Sequence, residues 1–199
     1  METKDYFLFE PESHTYWLGE RRLPSVSEII EPLDCYRNVP ADALQRAQAF
    51  GTALHSTIES WLNYNQLLDE ALVKPLEGFI KWFESALDFG NQKLIVEKPT
   101  YHPKLFYGGT PDLVFEEAII DIKSRPYNKI LDPIQLAAYA KLYPDFPPKK
   151  LYVLEIDQDG KTTLTNAEDK QAWGMFRKLL NFYNVKTETE ELTKKWKGK

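Results

Sequence analysis

A chain of 199 residues has room for one domain with a real hydrophobic core and is short for two. Its composition, 43% hydrophobic and 28% charged, is that of an ordinary globular protein, and no apolar run approaches the ~20 residues that span a bilayer. A net charge of −5 argues against a surface that is one broad DNA-binding field. It does not exclude chemistry on phosphates, because a carboxylate-rich metal site lowers net charge while its bound cation restores positive potential locally. Met1-Glu2-Thr3-Lys4-Asp5 is not followed by the apolar stretch of a signal peptide, so the expectation is a cytoplasmic protein (host cytoplasm if viral) without membrane contact. Cys35 is the single cysteine, which excludes an internal disulfide framework, a four-thiolate zinc site and a four-cysteine iron–sulfur cluster.

In chain order, residues 6–23 read as a hairpin of aromatic strands, 6–9 and 15–18, followed by a turn at Gly19-Glu20. Ser25 and Glu28 form a capping-box pattern that starts a short helix. Leu44, Ala47, Leu54, Ile58 and Leu62 fall at helical spacing and predict a long helix from Ala41 to about Asn63. A second helix is expected from about Val73 to Phe89, stopped by Gly90-Asn91. Strands are expected at about 93–100, 105–115 and 118–123. Asp132-Pro133 reads as an N-cap followed by a first-position proline, opening a helix to about Leu142. A strand at 151–156, a turn at 157–160, a partner strand at 161–165 and a helix at about 168–183 follow. The polar segment 186–199 is expected to be a flexible tail beyond a single domain over 1–185. The order predicts a mixed α/β domain with a central mixed sheet flanked by helices.

The informative stretch runs from Gly108 to Ser124. If Glu116-Glu117 is a two-residue turn, Asp112 faces Asp121 across an antiparallel pair, with Cβ atoms about 4.5–5.5 Å apart on one face. Lys123, two residues on, points to the same face. A three-residue turn would instead set Asp112 opposite Ile122 and split the pair. The flanking residues Leu113, Val114, Phe115, Ile119, Ile120 and Ile122 bury these strands, and buried like charges require a compensating cation. Lys123 supplies one positive charge; a divalent ion held by carboxylate oxygens, Mg²⁺ or Mn²⁺, would supply two. The bland alternative is that the two aspartates cap strand ends and Lys123 makes a routine salt bridge.

Pro111-Asp112 followed by Asp121-Ile122-Lys123 resembles the PD-(D/E)xK nuclease superfamily. Gly51-Thr52-Ala53-Leu54-His55 resembles the Gly-x-x-x-His segment of its RecB-like branch, Glu97 stands where that branch often carries an acidic residue, and Gln135-Leu136-Ala137-Ala138-Tyr139 resembles its Gln-x-x-x-Tyr motif. His14-Thr15-Tyr16 with Leu23-Pro24-Ser25-Val26-Ser27 is similar to the opening of phage and mitochondrial genome-maintenance exonucleases of this group. The resemblance covers roughly residues 14–142. It implies a restriction-endonuclease-like fold, a DNA substrate that is single-stranded or has free ends, and Mg²⁺ with Mn²⁺ as substitute. By the same resemblance Asp112, Asp121 and the Ile122 carbonyl hold the ion, helped by Glu97 and His55. Lys123 would orient the attacking water or stabilise charge, and Gln135 and Tyr139 would complete the catalytic set.

Read without the resemblance, His55 fits a core histidine or a helix-surface pair with Glu59, Glu97 a solvent-facing strand residue, and Tyr139 a packing residue. Arg125 could reach a DNA backbone or simply be exposed. The lysines and Trp196 of the final segment could grip single-stranded nucleic acid or form a solvated terminus. The expected function is a DNA exonuclease in replication, recombination or repair. A structure-specific endonuclease of the same fold and a non-catalytic binding or assembly protein are the alternatives.

Overall fold

The computed structural model describes residues 6–33, 39–86, 93–145 and 147–197. The N-terminal aromatic hairpin gains a third strand: β1 (Phe7–Glu10), β2 (Thr15–Leu18) and β3 (Arg21–Leu23) form a meander, with Gly19 at φ 57° turning the chain between the last two. Ser25 and Glu28 make both halves of the capping box at the start of α1 (Val26–Ile30). The long helix α2 spans Ala41–Tyr64 and ends on Asn65 in the left-handed conformation. The next helix, α3, covers Val73–Ser85, and the Gly90-Asn91 stop lies outside the described residues.

The two strands expected at 93–100 and 105–115 are each broken in two. They appear as β4 (Ile95–Val96), β5 (Thr100–Tyr101), β6 (Gly108–Gly109) and β7 (Leu113–Val114). The breaks fall at Glu97, with φ 43°, and at Thr110-Pro111-Asp112. A positive φ on a residue with a Cβ cannot continue a strand, and proline donates no ladder bond. Then come β8 (Ala118–Lys123), α4 (Leu131–Ala140), β9 (Lys150–Ile156), β10 (Thr162–Asn166) and α5 (Ala172–Lys197).

Five strands form the central sheet in the order β10-β9-β8-β7-β4. The β8–β9 pair is parallel, joined across α4, and the other neighbours are antiparallel, so the sheet is mixed. Alternation along β8 divides its side chains between two cores. Ile119 packs with Val114, Val153 and residues of α1, α4 and α5; Ile120 and Ile122 pack with Leu113, Leu154 and residues of α2 and α3. The α/β architecture with helices on both faces is the expected one.

Two local expectations need correction. Asp132 is not an N-cap: α4 begins at Leu131, and the Asn128 side chain accepts the Ile130 and Leu131 amides, at 3.0 Å each. Pro133 therefore sits third in the helix, where its missing N–H is still an unpaired one. The final helix, expected to end at about Tyr183, continues through Lys197. Its Lys, Glu and Leu residues are good helix formers, and Lys194, Lys195 and Lys197 favour the negative end of the helix dipole.

Gly78 and Gly160 let α3 approach the β9–β10 turn. A Cβ on Gly78 would lie 2.0 Å from the Gly160 carbonyl oxygen, and Gly160 itself has φ +80°. Gly78→Ala should therefore cost about 1–3 kcal/mol, because backbone rather than a side chain must move. Thermal melts of the two proteins check this; an unchanged Tm would show that the approach is not tight.

Candidate active site

The turn between β7 and β8 has two residues. Leu113 pairs with Ile120, Val114 with Ile119, and the Phe115 amide donates to the Ala118 carbonyl at 2.8 Å. This register brings the loop before β7 alongside the end of β8. Asp112 lies on that loop and Asp121 and Lys123 on β8; the aspartates are buried, 6% and 1% exposed, and Lys123 is half-buried. The Asp112 carboxylate accepts the Ile122 amide at 2.6 Å through Oδ2, so Ile122 fixes Asp112 through its N–H.

The other oxygen of Asp112, Oδ1, lies 3.3 Å from Nδ1 of His55. The same nitrogen is 3.3 Å from Glu97 Oε1. One ligating atom from each of His55, Glu97 and Asp112 falls within 4.8 Å of the others, the arrangement needed to share a cation. Glu97 reaches this point because its left-handed φ turns the chain just where its amide bonds the Asp112 carbonyl at 2.9 Å. Strain of this kind costs of order 1–3 kcal/mol and persists where surrounding structure enforces it. His55 arrives from the middle of α2, which passes close to the end of β8: a Cβ on Gly51 would meet Ser124 Oγ at 3.1 Å.

Asp121 is not in that triplet. Its Oδ2 faces Lys123 Nζ at 2.7 Å, an ion pair two residues apart on one face of β8. Gln135 and Tyr139 share a face of α4, and Gln135 Nε2 donates to the Tyr139 hydroxyl at 3.1 Å. His55, Glu97, Asp112, Asp121, Lys123, Gln135 and Tyr139 all line one cleft of about 720 Å³. Ile122 does not line it; its side chain packs in the core on the α2 side.

Charges in the cleft are strongly coupled. Burial disfavours a charged His55, but Asp112 and Glu97 outweigh it and hold the imidazole well above its usual pKa. Burial would raise Asp112, yet His55, Lys123 and the Ile122 amide keep it below its ordinary value. Glu97 is raised by burial and by Asp112. Burial pushes Asp121 up to about 6; Lys123 opposes this and Asp112 adds to it. Lys123 is raised, because Asp121 and Asp112 overcome the cost of burying its charge. A cluster that holds two cationic side chains against two buried carboxyls and a half-buried one is one in which positive charge is in demand.

Several residues of the cleft carried no local signal. Phe9, Pro11, Thr52, Ser56 and Thr110 also line it, and only the tertiary fold brings them there. The Arg125 guanidinium forks onto Asp132, which is fully buried and also accepts the Asn128 amide at 2.7 Å. The aspartate read as a helix cap instead clamps the loop that joins Lys123 to α4.

No family model and no curated protein matches the sequence. Among solved structures, the chain is similar to the alkaline exonuclease LHK-Exo of Laribacter hongkongensis, with a TM-score of 0.51 and 13% identity over 87% of this chain and 92% of that one. It is similar again to LHK-Exo in complex with dAMP, with a TM-score of 0.52 and 12% identity over 88% and 93% of the two chains. Likeness at this identity establishes a shared fold. No described helix is long and apolar enough to cross a membrane.

The raised pKa of Asp121 has a measurable consequence. The folded protein holds this proton more tightly than the unfolded chain, so ionising Asp121 between pH 3.8 and about 6 weakens the fold. In chelator, Asp121→Asn should melt at or above wild type at pH 8, by up to ~3 kcal/mol. Its advantage should shrink toward pH 4, where wild-type Asp121 is protonated. A variant that melts well below wild type at pH 8 would make Asp121 a structural residue.

Proposed function

We propose that this protein is a metal-dependent nuclease of the PD-(D/E)xK superfamily and its RecB-like branch, hydrolysing phosphodiester bonds of DNA as an exonuclease acting at DNA ends in replication, recombination or repair. The observation that carries the reading is the convergence of His55, Glu97 and Asp112 in a cleft that also holds the Asp121–Lys123 pair. The shared fold with an exonuclease, one of whose structures contains dAMP, supports the same reading.

The donor set fits a divalent cation. Carboxylate oxygens are hard ligands suited to Mg²⁺ and Mn²⁺, and an imidazole nitrogen is a common ligand of Mn²⁺-type ions. His55, Glu97 and Asp112 would hold the ion, with Asp121 and the Ile122 carbonyl completing its shell. The chemistry such an ion supplies is polarisation of the scissile phosphate and acidification of a water.

The chain's own groups do the rest. His55 must give up its proton to offer Nδ1, so ion binding strengthens as pH rises. The Lys123 ammonium, fixed by Asp121, faces the cleft as a donor for the attacking water or for a phosphate oxygen. Gln135 and Tyr139, held to each other, present amide and hydroxyl donors from α4 to the phosphate. The water oxygen bonds to phosphorus as the P–O3′ bond breaks; the leaving O3′ takes up a proton to become a 3′-hydroxyl, the water gives one up, and the other product carries a 5′-phosphate.

End-labelled linear DNA and a closed circle provide the test. With Mg²⁺ or Mn²⁺ the linear substrate should shorten and the circle persist; Ca²⁺ should support little cleavage, because its larger, looser shell positions the water less well. Cutting of the circle would mark an endonuclease, and full activity in excess chelator would refute the mechanism. Asp112→Asn and Lys123→Ala should each lower cleavage about a hundredfold or more with an unchanged circular dichroism spectrum. Activity should also fall as pH drops, because protons on His55 and Asp121 compete with the ion for the same atoms.

A further inference from the structure

One wall of the cleft comes from an element that the proposed chemistry does not use. The β1–β2 turn sends Phe9, Pro11 and His14 into the lining, next to Thr110 and Asp112. His14 is solvent-exposed, yet its ring is held in place. Nε2 lies 3.1 Å from the Tyr16 hydroxyl, and that hydroxyl lies 2.8 Å from Thr110 Oγ1, two residues before Asp112. The ring packs edgewise on Phe9, at 5.2 Å and 89°, and on Tyr16, at 5.5 Å and 88°, so neither neighbour stacks parallel to it. Tyr16 in turn is anchored on Gly108, where a Cβ would come within 2.4 Å of its ring.

His14 also has φ 49°. This conformation is unfavourable for a residue with a Cβ, and an exposed turn could take glycine or asparagine at lower cost. An exposed aromatic ring that is fixed, strained and aimed into a cleft is the arrangement expected of a contact surface.

The charges decide what this wall can touch. Among the described residues that line the cleft, Lys123 is the one lysine or arginine, against Glu59, Glu97, Asp112 and Asp121. The turn brings no lysine or arginine to pair with a phosphate. Aromatic rings and a proline beside the proposed phosphate site match the flat, apolar face of a base.

Resting on the nuclease reading, we propose that His14, backed by Phe9, is a stacking platform for a nucleobase of a single-stranded DNA end, and that it seats the strand whose phosphate lies over the His55–Glu97–Asp112 triplet. The contact is blind to base identity, because every base has a π-face. It gives an acidic cleft affinity for a polyanion that backbone charge alone would not supply.

The test measures binding of a labelled single-stranded oligonucleotide in Ca²⁺, with normal or abasic terminal positions. Wild type should prefer the normal end by about tenfold or more. His14→Asn keeps a residue that tolerates the left-handed turn and removes the stacking ring; Phe9→Leu keeps apolar bulk and removes the ring behind it. Both should bind the abasic end as wild type does and lose the preference for the normal one, while the rise in Tm on adding Mn²⁺ stays as in wild type. Equal binding of both ends by wild type, or a preserved preference in His14→Asn, overturns the platform and leaves the nuclease reading standing. A His14→Asn variant that loses the Mn²⁺ shift as well would reassign His14 to holding Asp112 through Tyr16 and Thr110. Failure of wild type to bind or cut DNA of any kind with Mg²⁺ or Mn²⁺ would remove both readings.

Discussion

The hydrogen bond from the Ile122 amide to Asp112 Oδ2, 2.6 Å long and buried, is the constraint on which the rest of the site depends. It ties a loop that has left the ladder back to the end of the strand beside it. A carboxylate that accepts a backbone amide is more stable charged than neutral, so the same bond fixes both position and ionisation of Asp112. With one oxygen fixed on the sheet, the other is left facing His55. The Asp112 carbonyl meanwhile receives the Glu97 amide, which sets where β4 ends and where the Glu97 side chain turns. One residue thus contacts His55 from α2, Glu97 at the end of β4 and the end of β8.

The site is an arrangement of unfavourable charge held by a favourable fold. Three carboxyl groups side by side would be costly if isolated; Lys123 and a protonated His55 offset part of their charge. Both cationic side chains sit against carboxylates that a metal ion would also seek. A cation shared by His55, Glu97 and Asp112 would have to displace the proton on His55, which would link its binding to pH.

Much of this was legible in the sequence where local chemistry is decisive. The turn at Glu116-Glu117 was readable only as one of two registers, because strands that are apolar on both faces do not penalise a slip of one residue; the pairing of Val114 with Ile119 decides for the two-residue turn. Helix α2 and the shared face of Gln135 and Tyr139 followed from 3.6-residue spacing. Glu97 was readable as a position but not as a geometry, because a left-handed glutamate has no sequence signature. Asp132 looked like a cap since Asp-Pro is common at helix starts; only tertiary contact shows that it clamps Arg125. The direct opposition of Asp112 and Asp121 correctly placed both in one cleft. Yet the strand ladder stops at Leu113, and Asp121 turns to Lys123 while Asp112 turns to His55. Helix α5 outran its expected end because a polar segment of good helix formers needs no core contact to continue a helix already nucleated on Ala172, Phe176 and Leu180.

Whether His55, Glu97 and Asp112 hold one cation is decided by anomalous diffraction from crystals soaked in Mn²⁺. A peak is expected within ligating distance of His55 Nδ1, Glu97 and Asp112, and should be lost in Asp112→Asn. A Mn²⁺ peak elsewhere with none in the cleft, or one that survives Asp112→Asn unchanged, would contradict that expectation.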